Sequence, residues 1–191
     1  MPSSHLIFKL LNMIPRLLTK YRKEVIPAMR KSFGYKNIMQ VPKVEKVVLN
    51  IGVGKYVKED KMLEKIEKDL TLLAGQKPVP TVAKKSIASF KIRDGMKIGY
   101  KTTLRKSKMY DFIDRLISIA FPRTRDFRGL NPKSFEKGVF SIGIPEHSIF
   151  PEINFESLKD IFGLEVSVVT NAKNKEEAKE LLKLMGFPFR N

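Results

Sequence analysis

Two segments of the sequence concentrate basic and hydroxyl side chains of the kind that bind phosphate. Residues 76–86 read QKPVPTVAKKS, in which two prolines stiffen a run with three lysines, two hydroxyls and no acid. Residues 123–129 read RTRDFRG, with three arginines and one aromatic ring. Lysine supplies charge, hydroxyls supply hydrogen-bond donors, and the arginine fork fits phosphates and base edges. Both segments therefore predict contacts with a polyanion.

Each segment also has a plainer interpretation, which the sequence leaves open. Residues 76–86 could form an ordinary solvated loop. In the second segment, Asp126 could hold one arginine in an internal ion pair, so that this cluster would be partly structural.

Residues suited to catalysis or metal binding are scarce. The chain has no cysteine and two histidines, His5 and His147, and we expect His147 at the surface because it lies in a proline-flanked loop. Glu176 and Glu177 stand among lysines at helical spacing, which indicates helix support rather than acid–base chemistry. The sequence predicts a protein that is not an enzyme and needs no cofactor or metal.

A glycine pair at Gly52 and Gly54 raises the question of nucleotide binding. The dinucleotide fingerprint would need a third glycine where Val57 stands, and a P-loop would need serine or threonine where Tyr56 stands. We expect a tight exit from a strand instead.

The charge of the chain favours a nucleic-acid partner. Its 191 residues hold 37 Lys and Arg against 20 Asp and Glu, a net charge of +17, and 42% hydrophobic residues suffice for a folded core. Residues 1–58 have 12 basic against 2 acidic side chains, and residues 77–133 have 15 against 4. By contrast, residues 59–76 and 138–191 are slightly acidic. Segregation of this kind favours one or two binding faces over a uniformly solvated surface.

Residues 1–14 predict a basic amphipathic extension. Residues 1–23 hold no acid, and Leu6 to Leu11 is apolar apart from Lys9. No secretory cleavage site follows, and no run reaches the roughly 18 apolar residues of a membrane span. The extension could dock on the domain or on RNA, with an organellar presequence or a membrane-surface helix as alternatives.

Hydrophobic periodicity predicts mixed helices and strands over residues 15–191. Helices are expected from Leu17 to Met29, with a kink or break at Pro27 and a stop at Gly34, and at Asp60–Ala74, Met109–Ala120 (with Pro122 beyond its end) and Glu176–Met185. Strands are expected at Val44–Ile51, Ser86–Ile92, Gly99–Leu104, Val139–Ile144 and Val166–Thr170, with a hairpin turn at 93–95. The fold class is therefore α+β, a single domain with a largely antiparallel β-sheet and helices packed on one side.

Seven motifs, spread over about Pro15 to Arg190, form an ordered set. They read FGYKN at 33–37, MQVPK at 39–43, GQKP at 75–78, AKKSIASFK at 83–91, PRTRDFRGL at 122–130, IFPEI at 149–153 and GFPFR at 186–190. With them the sequence closely resembles the bacterial-type L-five family of large-subunit ribosomal proteins.

This resemblance implies a structural RNA-binding protein that holds 5S rRNA in the central protuberance and has an RNA-facing side opposite its helices. The positions that match the family's 5S rRNA contacts are Asn37, Gln40, Asn50, Gln76, Thr103 and Arg105. Those that match the loop toward the elbow of the peptidyl-site tRNA are Thr81, Lys84, Lys85 and Ser86. Contacts with other rRNA, of the 23S type, are expected from Lys91, Arg93, Arg123, Arg125 and Arg128.

The resemblance also implies protein partners and a location. A small-subunit head protein would be met across an intersubunit bridge, beside neighbouring proteins of the central protuberance, with no membrane partner. The ribosome would be that of a bacterial cytoplasm or, alternatively, of an organelle.

The sequence departs from the family pattern at three places. Val82 stands where the family commonly has arginine, which would weaken that contact or move it to Lys84 and Lys85. Residues 135–140 form a shorter and less polar stretch than usual, and residues 1–13 extend beyond the usual start.

Two rival functions remain at this point. A basic nucleic-acid-processing enzyme would need clustered acids for metal ions, which both basic blocks lack. A membrane-surface protein would use the N-terminal helix.

Overall fold

The computed structural model describes residues 14–57, 59–153 and 161–190 of the chain. The predicted N-terminal extension therefore lies outside the described residues, except for Ile14. Within them, one antiparallel sheet has the order β2-β3-β1-β6-β5-β4. Its strands are β1 (Val44–Gly52), β2 (Val79–Val82), β3 (Lys97–Leu104), β4 (Phe135–Glu136), β5 (Val139–Ile144) and β6 (Leu164–Thr170).

Four helices pack on one side of this sheet in the described part of the chain. Helix α1 joins Arg16–Lys20, a π-helical turn at Tyr21–Val25 and Ile26–Phe33; α2 spans Asp60–Ala74; α3 joins Lys106–Arg115, a π-helical turn at Leu116–Ala120 and Phe121–Arg123; α4 spans Lys175–Met185. Helices α2, α3 and α4 contact the sheet, and α1 packs against α3 and α4. The α+β fold class is confirmed.

Side chains alternate between the two faces of the central strands. Val47, Leu49 and Ile51 of β1 are wholly buried on the helix side. Residues that pair across strands share a face, so the register places Asn50 between Lys101 and Glu165 on the other side. These three side chains are exposed. We call this second surface the open face.

Helices α1 and α3 each contain a proline at the second residue after a π-helical turn. In α1, the Ile26 amide donates to the carbonyl of Tyr21, five residues back, and Pro27 follows. In α3, the Phe121 amide donates to Leu116 in the same way, and Pro122 follows. The shifted hydrogen-bond register lets a residue without an N–H continue each helix. Pro27 therefore does not break α1, and Pro122 lies inside the last turn of α3 rather than beyond it.

The prediction of a strand at Ser86–Ile92 is wrong. The strand that precedes β3 is β2, an edge strand with β3 as its partner, and an edge tolerates Pro80 because hydrogen bonds are needed on one side only. Ile87 and Ile92 pair in an isolated bridge, and Ala88–Phe90 forms a 3-10 turn between them. This segment is thus the tip of a loop.

The expectation that His147 lies at the surface is also wrong. Its ring is fully buried and stacks on Phe162 with 3.7 Å between ring centroids. Its Nδ1 accepts a hydrogen bond from the Phe162 amide at 3.2 Å, and its Nε2 lies 3.8 Å from Oδ2 of Asp69 in α2. The histidine therefore connects the segment after β5 to α2 and holds a structural position.

A cluster of phenylalanines closes the C-terminal end of the domain. Phe140 of β5 lies 4.5 Å from Phe135, 6.2 Å from Phe187 and 5.3 Å from Phe189, measured between ring centroids. The Leu130 amide donates to Pro188 at 2.7 Å, and the Arg190 amide donates to Leu130 at 2.9 Å. The last described residues are therefore hydrogen-bonded to the segment after α3.

Replacing Phe140 tests how much this phenylalanine cluster contributes to the free energy of unfolding. Phe140→Ala should lower the free energy of unfolding by about 3–5 kcal/mol, because it leaves a cavity among three rings. Val139→Ala, at the neighbouring half-buried position on the other face, should cost at most about 1 kcal/mol. Urea unfolding of both variants measures the difference, and equal losses would contradict the assignment.

Candidate nucleic-acid interface

The centre of the open face is polar and carries few charges. Asn50 Nδ2 donates to Glu165 Oε2 at 3.3 Å, and Lys101 flanks Asn50 from β3. One row further along, the hydroxyls of Ser141 and Ser167 lie 3.0 Å apart. Amides, hydroxyls and a single ion of each sign suit recognition of a nucleic acid by sugar and base edges rather than by charge alone.

Gln76 and Thr103 meet at the border of the open face. Helix α2 ends at Gly75, whose φ of 62° turns the chain so that Gln76 Nε2 donates to the Thr103 carbonyl at 2.9 Å. Lys108 of α3 donates a hydrogen bond from Nζ to the Gly75 carbonyl at 2.8 Å, so the turn after α2 is also attached to α3. Arg105 follows two residues after Thr103 and is exposed. The structure therefore brings three of the six expected positions close in space.

Asn37 and Gln40 form a separate turn. The Asn37 side chain accepts a hydrogen bond from the Met39 amide at 2.9 Å, and Gln40 Oε1 accepts one from the Asn37 amide at 3.4 Å. No hydrogen bond among the described residues joins this turn to Asn50. Met39 at its apex is 82% exposed. Burial and the nearby Glu177 carboxylate raise the pKa of Tyr35, which precedes the turn, to about 12.

The β2–β3 loop, residues 83–96, is a well-anchored protrusion. Ala83 donates to the Met96 carbonyl at 2.9 Å and accepts from the Gly95 amide at 3.0 Å. Beyond this anchor the exposed basic side chains are those of Lys84, Lys85, Lys91 and Arg93. Phe90 at the tip is 73% exposed. Within the predicted phosphate-binding segment, residues 76–86, Lys84 and Lys85 therefore lie exposed on a loop, as expected.

Three other residues of segment 76–86 contact different parts of the structure. Thr81 belongs to β2, and its Oγ1 occupies the space beside Gly99, where an added Cβ would lie 2.7 Å away. Ser86 Oγ accepts a hydrogen bond from the Asp94 amide at 3.0 Å. Lys77 Nζ lies 3.4 Å from Glu67 Oε1 in an ion pair. Thr81 and Lys77 are therefore parts of the sheet border rather than of the loop.

The arginine cluster after α3 is exposed at Arg123, Arg125 and Arg128. Within the ranges that the structure describes, Asp126 forms no ion pair with them, so the internal-pair alternative is not supported. Phe127 stacks on Phe121 with 5.3 Å between centroids. The aromatic ring is therefore structural, and the guanidinium groups face solvent.

Glu165 is the residue of the open face that sequence reasoning missed. The predicted strand began at Val166, whereas β6 begins at Leu164. The buried alternation of Leu164, Val166 and Val168 was the available signal, since it places Glu165 on the opposite face.

The described ranges contain neither a candidate metal site nor a helix that could span a membrane. There, His, Asp and Glu side chains form no group of three suited to a metal ion. The helices in those ranges are too short or too polar to cross a membrane.

The fold and this surface define a class: a basic α+β protein with an open, polar sheet face suited to RNA. Residues 37–93 match the family model described as Ribosomal protein L5, and residues 97–189 match the model of the C-terminus of the same ribosomal family. Among curated relatives, Large ribosomal subunit protein uL5 of Clostridium tetani is 54% identical over 178 residues, which cover 93% of this chain and 99% of that one. The protein of the same name from Syntrophomonas wolfei is 57% identical over 176 residues, 92% and 99% of the two chains.

A third relative of that name, from Thermoanaerobacter sp., is 58% identical over 175 residues, 91% of this chain and 98% of its own. The chain belongs to the ribosomal protein L5 family, whose members are structural, non-enzymatic proteins of the large ribosomal subunit. The resemblance read from the seven motifs is confirmed.

Gln76 donates a hydrogen bond through its amide nitrogen, whereas Gln40 accepts one through its amide oxygen, so the two residues provide a matched test. Gln76→Glu removes the N–H that donates to Thr103 and should lower the free energy of unfolding by about 1 kcal/mol. Gln40→Glu keeps the acceptor oxygen and should stay within about 0.5 kcal/mol of the original. Urea unfolding at neutral pH measures both, and equal effects would refute the assigned amide orientations.

Proposed function

We propose that this chain binds 5S rRNA and docks it in the central protuberance of the large subunit. The observation that carries the proposal is the open face, where Asn50 and Thr103 stand on a sheet surface that no described helix covers. Gln76, hydrogen-bonded to Thr103, and the exposed Arg105 extend this surface at its border. Asn37 and Gln40 form a second polar contact on a rigid turn.

Attraction and selection come from different side chains in this proposal. The two basic blocks draw in any polyanion, because neutralised phosphates release counterions. Amides and hydroxyls fixed by the sheet then select an RNA by its shape and its exposed edges. The protein is thus a positioning element for RNA.

The β2–β3 loop is proposed to reach the elbow of the peptidyl-site tRNA. Its anchored base and its exposed Lys84 and Lys85 support a contact with a phosphate backbone. Val82, 51% exposed, stands where the family commonly has arginine, so these two lysines take a larger share of that contact.

Further partners are proposed from the remaining basic groups and from the family to which the chain belongs. Lys91 and Arg93 on the loop, with the arginine cluster after α3, are proposed to contact 23S-type rRNA. A small-subunit head protein across the intersubunit bridge and neighbouring proteins of the central protuberance are proposed as protein partners. Residues 15–191 act as one RNA-binding domain with 1–14 as an extension, in a bacterial cytoplasm like that of its relatives, or alternatively in an organelle.

Direct binding of 5S rRNA tests the main proposal. The chain should prefer 5S rRNA to a structured RNA of equal length, and its affinity should fall by roughly 10³–10⁵ between about 50 and 200 mM salt if about 6–10 phosphates are neutralised. Fluorescence anisotropy with labelled RNA measures both. Equal affinity for the two RNAs, or binding that ignores salt, would overturn the proposal.

A pair of neighbouring variants separates selection from attraction in the same assay. Asn50→Ala should lower the preference for 5S rRNA roughly tenfold with the salt slope unchanged, since one hydrogen-bonding amide is lost. Lys101→Ala, the cross-strand neighbour, should weaken both RNAs alike and reduce the salt slope by about one unit.

The loop assignment has its own test. Replacing Lys84 and Lys85 together by alanine should leave 5S rRNA binding nearly unchanged and weaken tRNA binding at the peptidyl site of ribosomes that carry the variant. The matched control replaces Lys173 and Lys175, two exposed lysines near the start of α4, and should change neither. Loss of 5S rRNA binding in the Lys84 and Lys85 variant would show that the loop serves the other RNA.

A further inference from the structure

We propose that Glu165 is a specificity-determining residue of the open face, where it accepts hydrogen bonds from the donor edge of an unpaired RNA nucleotide. This inference rests on the proposed binding of 5S rRNA and adds a residue and a chemistry to it. Glu165 lies in the same cross-strand row as Asn50, between Asn50 of β1 and Gly143 of β5.

The charge of Glu165 makes its position informative. A carboxylate in the middle of a surface that meets RNA repels phosphate, so it weakens binding unless it contacts hydrogen-bond donors. The side chain is exposed, and the groups that hydrogen-bond to its carboxylate are donors: Asn50 Nδ2 at 3.3 Å and Ser167 Oγ at 3.5 Å. Each carboxylate oxygen can accept more than one hydrogen bond, so acceptor capacity remains for a ligand.

Glu165 also fixes which way the Asn50 amide points. An ionised carboxylate only accepts hydrogen bonds, so the amide must turn its N–H group toward Glu165. The carbonyl oxygen of Asn50 then points away from the carboxylate. The two oxygens of the Glu165 carboxylate lie side by side and match the Watson–Crick edge of an unpaired guanine, which offers N1–H and N2–H as adjacent donors.

Gly143 leaves the space that such a ligand needs. It pairs with Glu165 on β5 and is exposed, and a Cβ added there would have nothing within 4 Å. At Gly143 the cross-strand row has no side chain, which leaves a recess directly beside the Glu165 carboxylate. A flat base can lie over Gly143 in this recess with its edge toward Glu165.

The sign of the effect of one substitution separates recognition from electrostatics. Glu165→Gln removes a negative charge, so charge alone predicts tighter binding, whereas lost recognition predicts roughly 5- to 100-fold weaker binding of 5S rRNA. The control is Glu136→Gln on the edge strand β4, where Glu136 is exposed on the same face. It should leave 5S rRNA binding unchanged or slightly tighter.

A second variant tests the space rather than the charge. Gly143→Ala has room in the fold and should leave the thermal midpoint unchanged or slightly higher, yet it should weaken 5S rRNA binding because a methyl group fills the recess. Neither variant should change affinity for the unrelated structured RNA beyond the small charge effect.

Footprinting identifies the donor. Kethoxal reports the guanine N1 and N2 edge, and 2′-hydroxyl acylation reports the ribose, so each is applied to 5S rRNA with the original chain and with Glu165→Gln. A guanine protected by the original chain should lose kethoxal protection in the variant, whereas a change confined to the acylation pattern would overturn the assignment to a base edge.

Two negative results have different meanings. If the original chain shows no preference for 5S rRNA, the proposed function fails. If that preference is present but Glu165→Gln binds as tightly as Glu136→Gln and leaves both footprints unaltered, this inference is wrong and the proposed function stands.

Discussion

Because the helices pack on one side of the sheet, every central strand has to serve two environments with alternate residues. Val47, Leu49 and Ile51 meet the helices, and the residues between them meet solvent. The burial of the first set fixes the register, since a slip by one residue would exchange the two faces. The polar row of Lys101, Asn50 and Glu165 is therefore held in place by the apolar core on the reverse side.

The clustered basic side chains and the uncharged polar side chains of the open face occupy different parts of the molecule. The exposed lysines and arginines of the β2–β3 loop and of the segment after α3 lie in loops, whereas Asn50, Ser141 and Ser167 lie on the sheet. Long charged side chains act through solvent over several ångströms and tolerate motion, but a hydrogen bond requires fixed geometry. The rigid sheet suits the groups that need precision.

Local patterns predicted most of the fold and the two basic segments whose lysines and arginines are exposed. The periodicity of Asp60–Ala74 and the glycine after it predicted α2 correctly, because both signals are local. The strand at Val79–Val82 was missed because Pro80 argues against a strand unless its edge position is known. The burial of His147 depends on its contacts with Phe162 and Asp69, and the place of Glu165 on the open face depends on cross-strand register, so both required tertiary structure.

The strand order also determines at what stage of protein synthesis the open face can form. β1 lies between β3 and β6, and Val47 is paired with Leu104 on one side and Val168 on the other. A chain made from its N-terminus cannot complete this arrangement until β6 has been synthesised, and contacts so distant in sequence form slowly. Residues 1–58, with 12 basic side chains against 2 acidic ones, are made before β3 and β6. The nascent chain thus carries much of its positive charge before the open face can form, and the row of Lys101, Asn50 and Glu165 is completed only when β6 has been made.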